Sequence, residues 1–448
     1  MVSEGRPPEK VSPKSARAGA RGLLRGFVKN PVVVSRVVIT KVRTDPVRVA
    51  QAAAEAMPPR LRPIIGSVAW PAARRVRRVV GKVSMRMAKG PLKEAKVHYE
   101  MGRLSQAIAV LEPHRKWSFV KRRMAYYAGE RAAIGPNPIP PGPKVEVPDR
   151  IPGRVLHCVT NALPYTQAGY TVRTHRIVTA QKAAGLDPHV VTSWGWPMLQ
   201  GHADAAPYEE IDGIPYHRLL PHGEMPFESR GRMIRGAEDL TELVAKLRPQ
   251  VLHAATDHRN GSVALAVRER TGIPVVYEVR GFLEETWASR DPARVGSERH
   301  LLQREREATI MREADAVVTL AETMAAEIVA RGVPREKIFL APNAVDDSLL
   351  TADYDGAAFR AAYGIGADEV VVGSVSSIVA YEGFATLLHA AAILRDQGTP
   401  VRVLLVGDGA ERPALLELVK RLRLTDAVLP GRVGPDEALQ AQAALDIF

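Results

Sequence analysis

Glycine residues follow several apolar runs of the chain, at places where a bound ligand could reach the backbone. Gly169 lies in the loop after the apolar run GRVLHCVTN, and Gly407 and Gly409 flank Asp408 after the run Val401–Val406. A residue without Cβ lets the main chain approach a phosphate or a sugar closely. A tight turn between a strand and a helix also requires glycine, so a binding role and a turn role both stay open here.

Cationic and imidazole side chains form a second group of candidates. Arg280 ends the run PVVYEV, where its guanidinium suits a diphosphate or an anionic acceptor, although a salt bridge to Glu278 or Glu284 would also explain it. His253 and His258 flank the loop within LHAATDHRNG. A structural role is the better interpretation of His253, and we take Arg280 and His258 as the candidate catalytic residues.

The elements that must position these residues alternate between two periodicities. Short apolar runs predict buried strands, and segments with 3.6-residue spacing predict helices between them. This alternation is typical of βαβ units with a parallel sheet, in which ligands bind outside the carboxyl ends of the strands. We predict a loop over LPYTQAGYTVRT, helices over 175–184, 227–248 and 297–313, and further elements at Ala316–Leu320, Glu322–Ala330, Lys337–Ala341, Val370–Val375, Phe384–Arg395 and Val401–Val406.

Charge divides the chain into two parts. Residues 1–150 contain 31 Lys and Arg against 10 Asp and Glu, whereas residues 151–448 contain 31 against 39. The excess positive charge of the first part predicts a separate module with an acidic partner. We expect a basic helix at Ala72–Met87, a Pro/Gly linker over 135–150, and a helix pair over 92–133 that packs through Ala95, Tyr99, Ala107 and Leu111.

The predicted fold class is therefore α/β, with a basic, mostly helical extension over 1–150 and α/β domains over 151–350 and 365–448. A hydrophobic fraction of 46% is ordinary for a globular protein. Cys158 alone excludes a disulfide framework and favours a reducing compartment, where we expect it buried in a strand. No run of 18 apolar residues and no secretory leader is found, so we expect a cytoplasmic protein, with peripheral attachment to the inner face of the membrane.

The motifs GYTVRTH, YEVRGF and AYEG, in this order between Gly153 and Phe448, resemble those of the retaining family 4 glycosyltransferases. These enzymes have two facing Rossmann-like domains (the GT-B architecture), and the most similar branch is associated with bacterial exopolysaccharide synthesis. The resemblance implies transfer of a sugar from a nucleotide-diphosphate sugar to a hydroxyl of a carbohydrate or lipid-linked acceptor, with retention of configuration. The donor phosphate would help to take the acceptor proton, and no metal or other cofactor is implied.

The resemblance also implies roles for residues of the second domain and its border. Asn343 would line the cleft, with capping of the next turn as the alternative, and the loop of Gly407 and Gly409 would approach the donor base. Ser377 and Glu382 stand where many members have an Arg and a Lys that hold the diphosphate. The backbone N–H groups at Gly383-Phe384 are a substitute phosphate site, and Arg432 is a substitute cation.

Two further departures concern the first domain and the end of the chain. Arg280 stands where the family often has a histidine at a strand end. Phe448 precedes the position of the family's glutamate pair, so we expect a C-terminally truncated chain with an incomplete second domain.

Other classes of function are less favoured. A non-catalytic GT-B scaffold that lost its phosphate site is the main alternative, because Ser377 and Glu382 are not cations. No metal-ligand spacing occurs and no strand is followed by Gly-x-Gly-x-x-Gly, which disfavours metal-dependent transferases and dinucleotide enzymes. Nucleic acid is a poor partner for the basic segment, where the aromatic interleaving needed for base stacking is poor and no known reader motif occurs. An anionic membrane surface bound through residues 1–133 is the better expectation.

Overall fold

The apolar runs of the sequence form the strands of two sheets in the computed structural model, which describes residues 90–223, 225–345 and 347–448. One compact unit ends at Pro342, and the second is Asn343–Phe448. The basic helix expected at Ala72–Met87 lies outside the described residues. The expected α/β class is confirmed, because all but one of the strand pairings recorded in the two sheets are parallel.

The first unit contains an eight-stranded sheet in the order β3-β4-β2-β1-β5-β6-β7-β8. Its strands are β1 (Arg154–Val159), β2 (Asp187–Thr192), β3 (Tyr208–Ile211), β4 (Ile214–Arg218), β5 (Val251–Ala255), β6 (Val275–Val279), β7 (Ala316–Thr319) and β8 (Ile338–Leu340). The pairing of β3 with β4 is antiparallel and places a hairpin at one edge. This hairpin is not among the elements predicted from the sequence.

The helices that connect the strands lie on both faces of the sheet, as the βαβ pattern requires. The helices of the first unit are α1 (Pro91–Glu100), α2 (Leu104–Leu111), α3 (Ser118–Ala133), α4 (Gly169–Ala183), α5 (Ser229–Leu247), α6 (His258–Thr271), α7 (Leu283–Ala288), α8 (Glu298–Glu313) and α9 (Glu322–Ala330). The largest core cluster contains Leu156, Leu252, Tyr277 and Ile310, so β1, β5 and β6 form its centre together with α8.

The loop predicted over LPYTQAGYTVRT is too long, because α4 already begins at Gly169. The Thr171 hydroxyl explains the early start. Its Oγ1 accepts a hydrogen bond from the Ala168 N–H at 2.9 Å and contacts the carbonyl oxygens of Ala168 and Thr166 at 2.8 and 2.9 Å. A side chain that satisfies backbone groups in this way stabilises a helix start, and the 3.6-residue spacing of apolar positions does not reveal it.

The helix pair predicted over 92–133 is a group of three helices, α1, α2 and α3. Ala95, Ala107 and Leu111 are buried between them, and Tyr99 packs against the same cluster, as predicted. The Tyr99 ring stacks on that of Tyr127 with centroids 4.5 Å apart. Such aromatic pairs strengthen a small core beyond the area that they bury.

The three N-terminal helices dock onto the α/β sheet through specific polar contacts. The Glu298 carboxylate at the start of α8 accepts hydrogen bonds from the Ser105 N–H, the Ser105 hydroxyl and Arg131 Nε, each at 2.6 Å. Glu130 of α3 accepts hydrogen bonds from the N–H and the hydroxyl of Ser229 at 2.7 and 2.9 Å. Described residues on both sides of position 150 therefore belong to one packed unit.

The second unit contains a three-stranded parallel sheet in the order β11-β10-β9. Its elements are α10 (Asp347–Thr351), α11 (Gly356–Ala362), β9 (Val371–Val375), α12 (Phe384–Asp396), β10 (Arg402–Val406), α13 (Arg412–Leu422), β11 (Val428–Gly431) and α14 (Pro435–Ala443). Leu388, Leu405 and Leu415 belong to the core on one side of this sheet, and Phe359 and Leu404 to the core on the other.

No helix in the described part of the chain has both the length and the apolar character needed to cross a membrane.

Gly102 provides a test of how tightly the N-terminal helices dock. Its φ is +76°, and a Cβ there would overlap Ser297 and the Trp287 ring, whereas Gly185 has φ +85° and no atom within 4 Å of a Cβ. Gly185→Ala should cost about 1–2 kcal/mol from backbone strain, and Gly102→Ala a further ~1–3 kcal/mol from overpacking. Urea unfolding followed by tryptophan fluorescence measures both. Equal losses in the two variants would contradict the tight docking.

Candidate functional site

The buried carboxylate of Glu278, near the carboxyl end of β6, is the centre of a polar network in the first unit. Glu278 is 1% exposed. Its Oε1 accepts a hydrogen bond from Arg173 Nη2 at 3.2 Å, and its Oε2 lies 2.7 Å from Arg280 Nη2 and 3.2 Å from His253 Nε2. Three chain segments that are distant in sequence thus meet at one carboxylate.

The charge state of Glu278 follows from these partners. Burial alone would raise its pKa, but hydrogen bonds from His253 and Arg280 and the positive charge of Arg280 outweigh burial. The pKa of Glu278 is therefore held well below its usual range, and the carboxylate is ionised at neutral pH.

Arg280 is held by its own neighbours on several sides. In addition to Glu278, its Nη1 donates to Thr174 Oγ1 at 2.7 Å and to the Tyr170 carbonyl at 3.1 Å. Its backbone N–H donates to Thr256 Oγ1 at 2.8 Å. The salt bridge to Glu278, one of the two interpretations of Arg280, is therefore present, and the guanidinium is fixed against the first turn of α4.

Gly169 lies beside this network, at the exposed first residue of α4. Its backbone is not in the left-handed region, and a Cβ at this position would meet no atom within 4 Å. Neither a strained turn nor close packing within the described residues therefore requires glycine here. A molecule from outside the chain that contacts this backbone would require it.

Two further imidazoles extend the network under α4. The rings of His157 and His253 stack with centroids 4.5 Å apart, and His157 Nε2 lies 2.7 Å from Gln181 Oε1. Burial, together with the neighbouring His253, lowers the pKa of His157 to about 3. This ring is neutral at physiological pH. The structural interpretation of His253 fits its place between Glu278 and His157.

His258 does not join Arg280. Tyr277 and Glu278 are successive residues of β6, so their side chains point to opposite faces of the sheet. The Tyr277 hydroxyl donates to Glu307 Oε2 at 2.6 Å, and the His258 N–H donates to Glu307 Oε1 at 2.7 Å. The expected catalytic pair is thus divided between the two faces, and burial lowers the pKa of His258 to about 4.

A cavity of 190 Å³ lies at the carboxyl ends of β1 and β2, on the side of α5 and α6. Its lining residues include Trp196, Leu199, Asn161 and Asn260. The Asn260 amide is fixed by Thr160 Oγ1 and the Ala255 carbonyl, both at 2.9 Å, and Asn161 Oδ1 has no hydrogen-bond partner within the described part of the chain. Sequence reasoning missed this cavity, because its residues come from five separate segments.

Cys158 also lines this cavity and is buried in β1. Burial raises the pKa of its thiol to about 12. The thiol is therefore protonated at neutral pH and acts as a small apolar side chain.

In the second unit, the loops after β9 and β10 are held together by their backbones. The Ile378 N–H donates to the Asp408 carbonyl and the Glu411 N–H donates to the Ile378 carbonyl, both at 3.1 Å. A Cβ on Gly407 would overlap the Ser376 carbonyl oxygen, and a Cβ on Gly409 would overlap that of Ile378. Close packing of two loops therefore accounts for both glycines without a ligand.

The other second-unit candidates are exposed. Ser377, Glu382, Gly383 and Asn343 lie at the surface of their own unit. Gly383 precedes α12 with φ +75°, and a Cβ there would meet no atom within 4 Å. Arg432 follows β11 and is also exposed, and no carboxylate of the described residues forms a salt bridge with it.

No three His, Cys, Asp or Glu side chains come together as a metal-ligand group in the portion of the molecule described here.

Comparison with known proteins identifies part of the first unit. Residues 168–344 match the family model of a glycosyl transferase 4-like domain. A proposed glycosyltransferase of Bacillus subtilis (strain 168), EpsF, is 28% identical over 204 residues, which are 44% of this chain and 50% of EpsF. The chain thus spans about half the length of this curated relative.

Two solved structures match this chain at low sequence identity. Sucrose-phosphate synthase from Thermosynechococcus elongatus has a TM-score of 0.50 at 19% identity, covering 65% of this chain and 73% of that one. Anabaena HepE in complex with UDP has a TM-score of 0.48 at 18% identity, covering 65% and 72%. The likeness to the sucrose-phosphate synthase supports the α/β fold.

Glu278→Gln tests the central network. The change leaves two part-buried guanidinium groups with a buried neutral acceptor and should lower the free energy of unfolding at pH 7 by about 2–4 kcal/mol. The matched control is Glu322→Gln, since Glu322 pairs with Arg335 at the surface at 3.1 Å, and we expect a change of at most ~1 kcal/mol. Urea unfolding measures both changes.

Wild type and Glu278→Gln should also differ in how their free energy of unfolding depends on pH. Glu278 has a depressed pKa in the folded state, so its stabilisation is present above the unfolded value near 4.5 and is lost as pH falls towards the folded value. The stability difference between wild type and Glu278→Gln should therefore shrink on acidification below pH ~4.5. A difference that does not change with pH would contradict an ionised Glu278.

Proposed function

We propose that this protein transfers a glycosyl group from a nucleotide-diphosphate sugar to a hydroxyl acceptor. The observation that carries the proposal is the match of residues 168–344 to a glycosyl transferase 4-like domain, which begins where the uncovered backbone of Gly169 opens α4. The match to EpsF supports the same class of activity. The resemblance of the sequence motifs to retaining family 4 enzymes supports retention of configuration.

In this proposal Gly169 and Arg280 act on the acceptor side of the reaction. Gly169 lets the acceptor or a donor phosphate approach the first turn of α4, because no side chain of its own unit covers it. Arg280 is already oriented by Glu278 and Thr174, so its charge is fixed before the substrate arrives. Such preorganised charge stabilises a developing anion at little reorganisation cost. His258 has no role in the chemistry, since it lies on the other face of the sheet.

The donor diphosphate binds the second unit in this proposal. The N-terminus of α12 at Gly383 offers backbone N–H groups in open space, and Arg432 offers a guanidinium without an acidic partner in the described residues. Gly407 and Gly409 act indirectly, by letting the loops after β9 and β10 pack together. Ser377 and Asn343 are exposed and can donate hydrogen bonds to the donor.

The 190 Å³ cavity beside β1 and β2 is the proposed place for part of the acceptor. Apolar residues such as Leu199 and Val263 line this cavity, and Asn161 supplies an amide oxygen without a hydrogen-bond partner in the described part of the chain. An apolar lining together with a few fixed polar groups is a common way to bind a small molecule. A carbohydrate or a lipid-linked saccharide fits this chemistry, as in cell-envelope or exopolysaccharide synthesis.

One observation favours a second candidate function. Ser377 and Glu382 are exposed at the positions where family 4 enzymes hold the donor diphosphate with cations. A carboxylate at this place repels a diphosphate. A GT-B protein that binds a nucleotide sugar without turning it over would tolerate such residues better than an efficient enzyme.

Donor binding and donor turnover by the wild type separate these two functions, and Gly169→Val tests the role of Gly169. UDP-glucose and GDP-mannose are titrated by calorimetry into the full chain, and release of nucleoside diphosphate is then followed with oligosaccharide acceptors. We expect the wild type to bind one donor and release its diphosphate, and Gly169→Val to lose about tenfold or more in turnover because its side chain occupies the open space. Gly185→Ala is the control and should keep its activity. If the wild type binds a donor without turnover, the scaffold function is supported. If it binds neither donor, both functions are contradicted.

An anionic membrane surface remains the proposed partner of residues 1–133. Trp117 and Phe119 are exposed, with ring centroids 6.0 Å apart, and Arg115, Lys116, Lys121 and Arg122 are exposed around them. Amphipathic rings beside cations are typical of contacts with lipid headgroups.

Liposome co-sedimentation tests this partner. The wild type should bind vesicles that contain phosphatidylglycerol and should bind neutral phosphatidylcholine vesicles weakly, because each cation near an anionic surface contributes about 1 kcal/mol. Lys121→Gln combined with Arg122→Gln should weaken the binding, whereas Lys420→Gln, at an exposed helix position of the second unit, should not. Equal binding to both kinds of vesicle would contradict an electrostatic contact.

A further inference from the structure

A second cavity, of 260 Å³, lies where the N-terminal helices meet the α/β sheet. Its walls come from α1, α3 and the segments around the starts of α6 and α8, together with α7. The three N-terminal helices precede residue 168, where the glycosyl transferase 4-like match begins. Part of the cavity wall therefore comes from helices that lie outside the matched residues, although Ser229 and Arg259 line both this cavity and the 190 Å³ cavity.

Two guanidinium groups at this cavity lack an acidic partner. The Arg299 guanidinium lies over the Trp287 ring, 4.6 Å from its centroid, and Arg290 is exposed in the turn after α7. Neither forms a salt bridge with any carboxylate of the described residues, although 49 Asp and Glu occur in the whole sequence. Glu130 of the same cavity acts on Arg299 electrostatically without a salt bridge, and a half-buried cation that no carboxylate contacts favours an anion from outside the chain.

The two carboxylates of the cavity wall are already engaged. Asp257 accepts hydrogen bonds from the Arg259 N–H and from Arg259 Nε, each at 3.1 Å to Oδ1. Glu130 accepts hydrogen bonds from the N–H and the hydroxyl of Ser229 at 2.7 and 2.9 Å. Each acid is therefore directed to a partner of its own, and the positive charges of Arg299 and Arg290 remain uncompensated by direct contacts.

A buried imidazole also points to a missing partner. His258 lines the cavity and is 7% exposed, and its Nδ1 is buried without a hydrogen bond, since Glu307 Oε1 lies 3.9 Å away. Native proteins rarely leave such an atom unpaired, because an unmet hydrogen bond costs free energy. Tyr99, whose hydroxyl lies 3.3 Å from that of Tyr126, provides a further polar group on the opposite wall.

We propose that this cavity binds a small organic ligand through an oxyanion, a phosphate or a carboxylate, held by Arg299 and Arg290. Guanidinium groups bind both oxyanions through paired, charge-assisted hydrogen bonds. The cavity volume is several times that of one water molecule, about 30 Å³, so the ligand contains carbon atoms beyond the oxyanion. Its binding fixes α1 and α3 against α7 and α8, since all four elements line the site.

Calorimetric titration of the full chain with three related compounds tests the proposal. Glycerol 3-phosphate, glycerate and glycerol share a three-carbon skeleton and differ in carrying a phosphate, a carboxylate or no charge. We expect wild type to bind the phosphate or the carboxylate compound and not glycerol. Arg299→Gln should weaken that binding about tenfold or more, through loss of a charge-assisted hydrogen bond.

Arg294→Gln is the matched control, because Arg294 stacks on the same Trp287 ring at 5.0 Å but does not line the cavity. It should change affinity less than about twofold. Arg290→Gln should also weaken binding, and its exposed position makes it the variant to rely on if Arg299→Gln does not fold. The proposal is overturned if the wild type binds neither charged compound. It is also overturned if Arg432→Gln abolishes the binding while Arg299→Gln and Arg290→Gln leave it intact. Equal losses in Arg299→Gln and Arg294→Gln also overturn it, because Trp287 packing would then explain them.

Discussion

The buried charge of Glu278 must be compensated from several parts of the chain at once, and this requirement organises the first unit. A carboxylate that is 1% exposed is strongly destabilising unless cations and donors surround it. Arg173 from α4, His253 from β5 and Arg280 beyond β6 meet that need. Arg173 also donates to the Ala341 carbonyl after β8 at 3.0 Å. The loops at the carboxyl edge of the sheet are thus fixed relative to each other by one charge, and a rigid edge of this kind can orient a substrate.

Local patterns in the sequence predicted the elements much better than the contacts between them. Apolar runs located β1, β5 and β6 to within a few residues, because burial in a parallel sheet demands such runs. Arg280 could be proposed as a strand-end residue for the same reason. The partnership of Glu278 with Arg173, 105 positions away, has no local signature. The separation of His258 from Arg280 has no local signature either, because it depends on Glu307, 49 positions after His258, which holds His258 on the face opposite to Glu278.

Glycines show where sequence reasoning confuses two physical causes. Gly169, Gly407 and Gly409 all follow strands, and the sequence gives no way to rank them. In the folded chain, Gly407 and Gly409 are required because the loop of Ser376 and Ile378 passes too close for a Cβ. No described residue lies close enough to Gly169 to exclude a Cβ there. The distinction rests on neighbouring backbone from a different loop, and it makes Gly169 the stronger candidate for ligand contact.

The Pro/Gly segment between residues 135 and 144 shows how composition and contacts can disagree. Proline has no N–H to donate, so such a segment resembles a linker in sequence. Its carbonyl groups remain strong acceptors, however. Arg306 Nη1 donates to the Pro136 carbonyl and Arg230 Nε to the Pro138 carbonyl, both at 3.0 Å. Arg306 is 6% exposed, so removal of this segment would leave a buried guanidinium without one of its acceptors. The segment therefore connects the N-terminal helices to the α/β sheet energetically as well as covalently, and the helices belong to the structural context in which any chemistry at the sheet edge takes place.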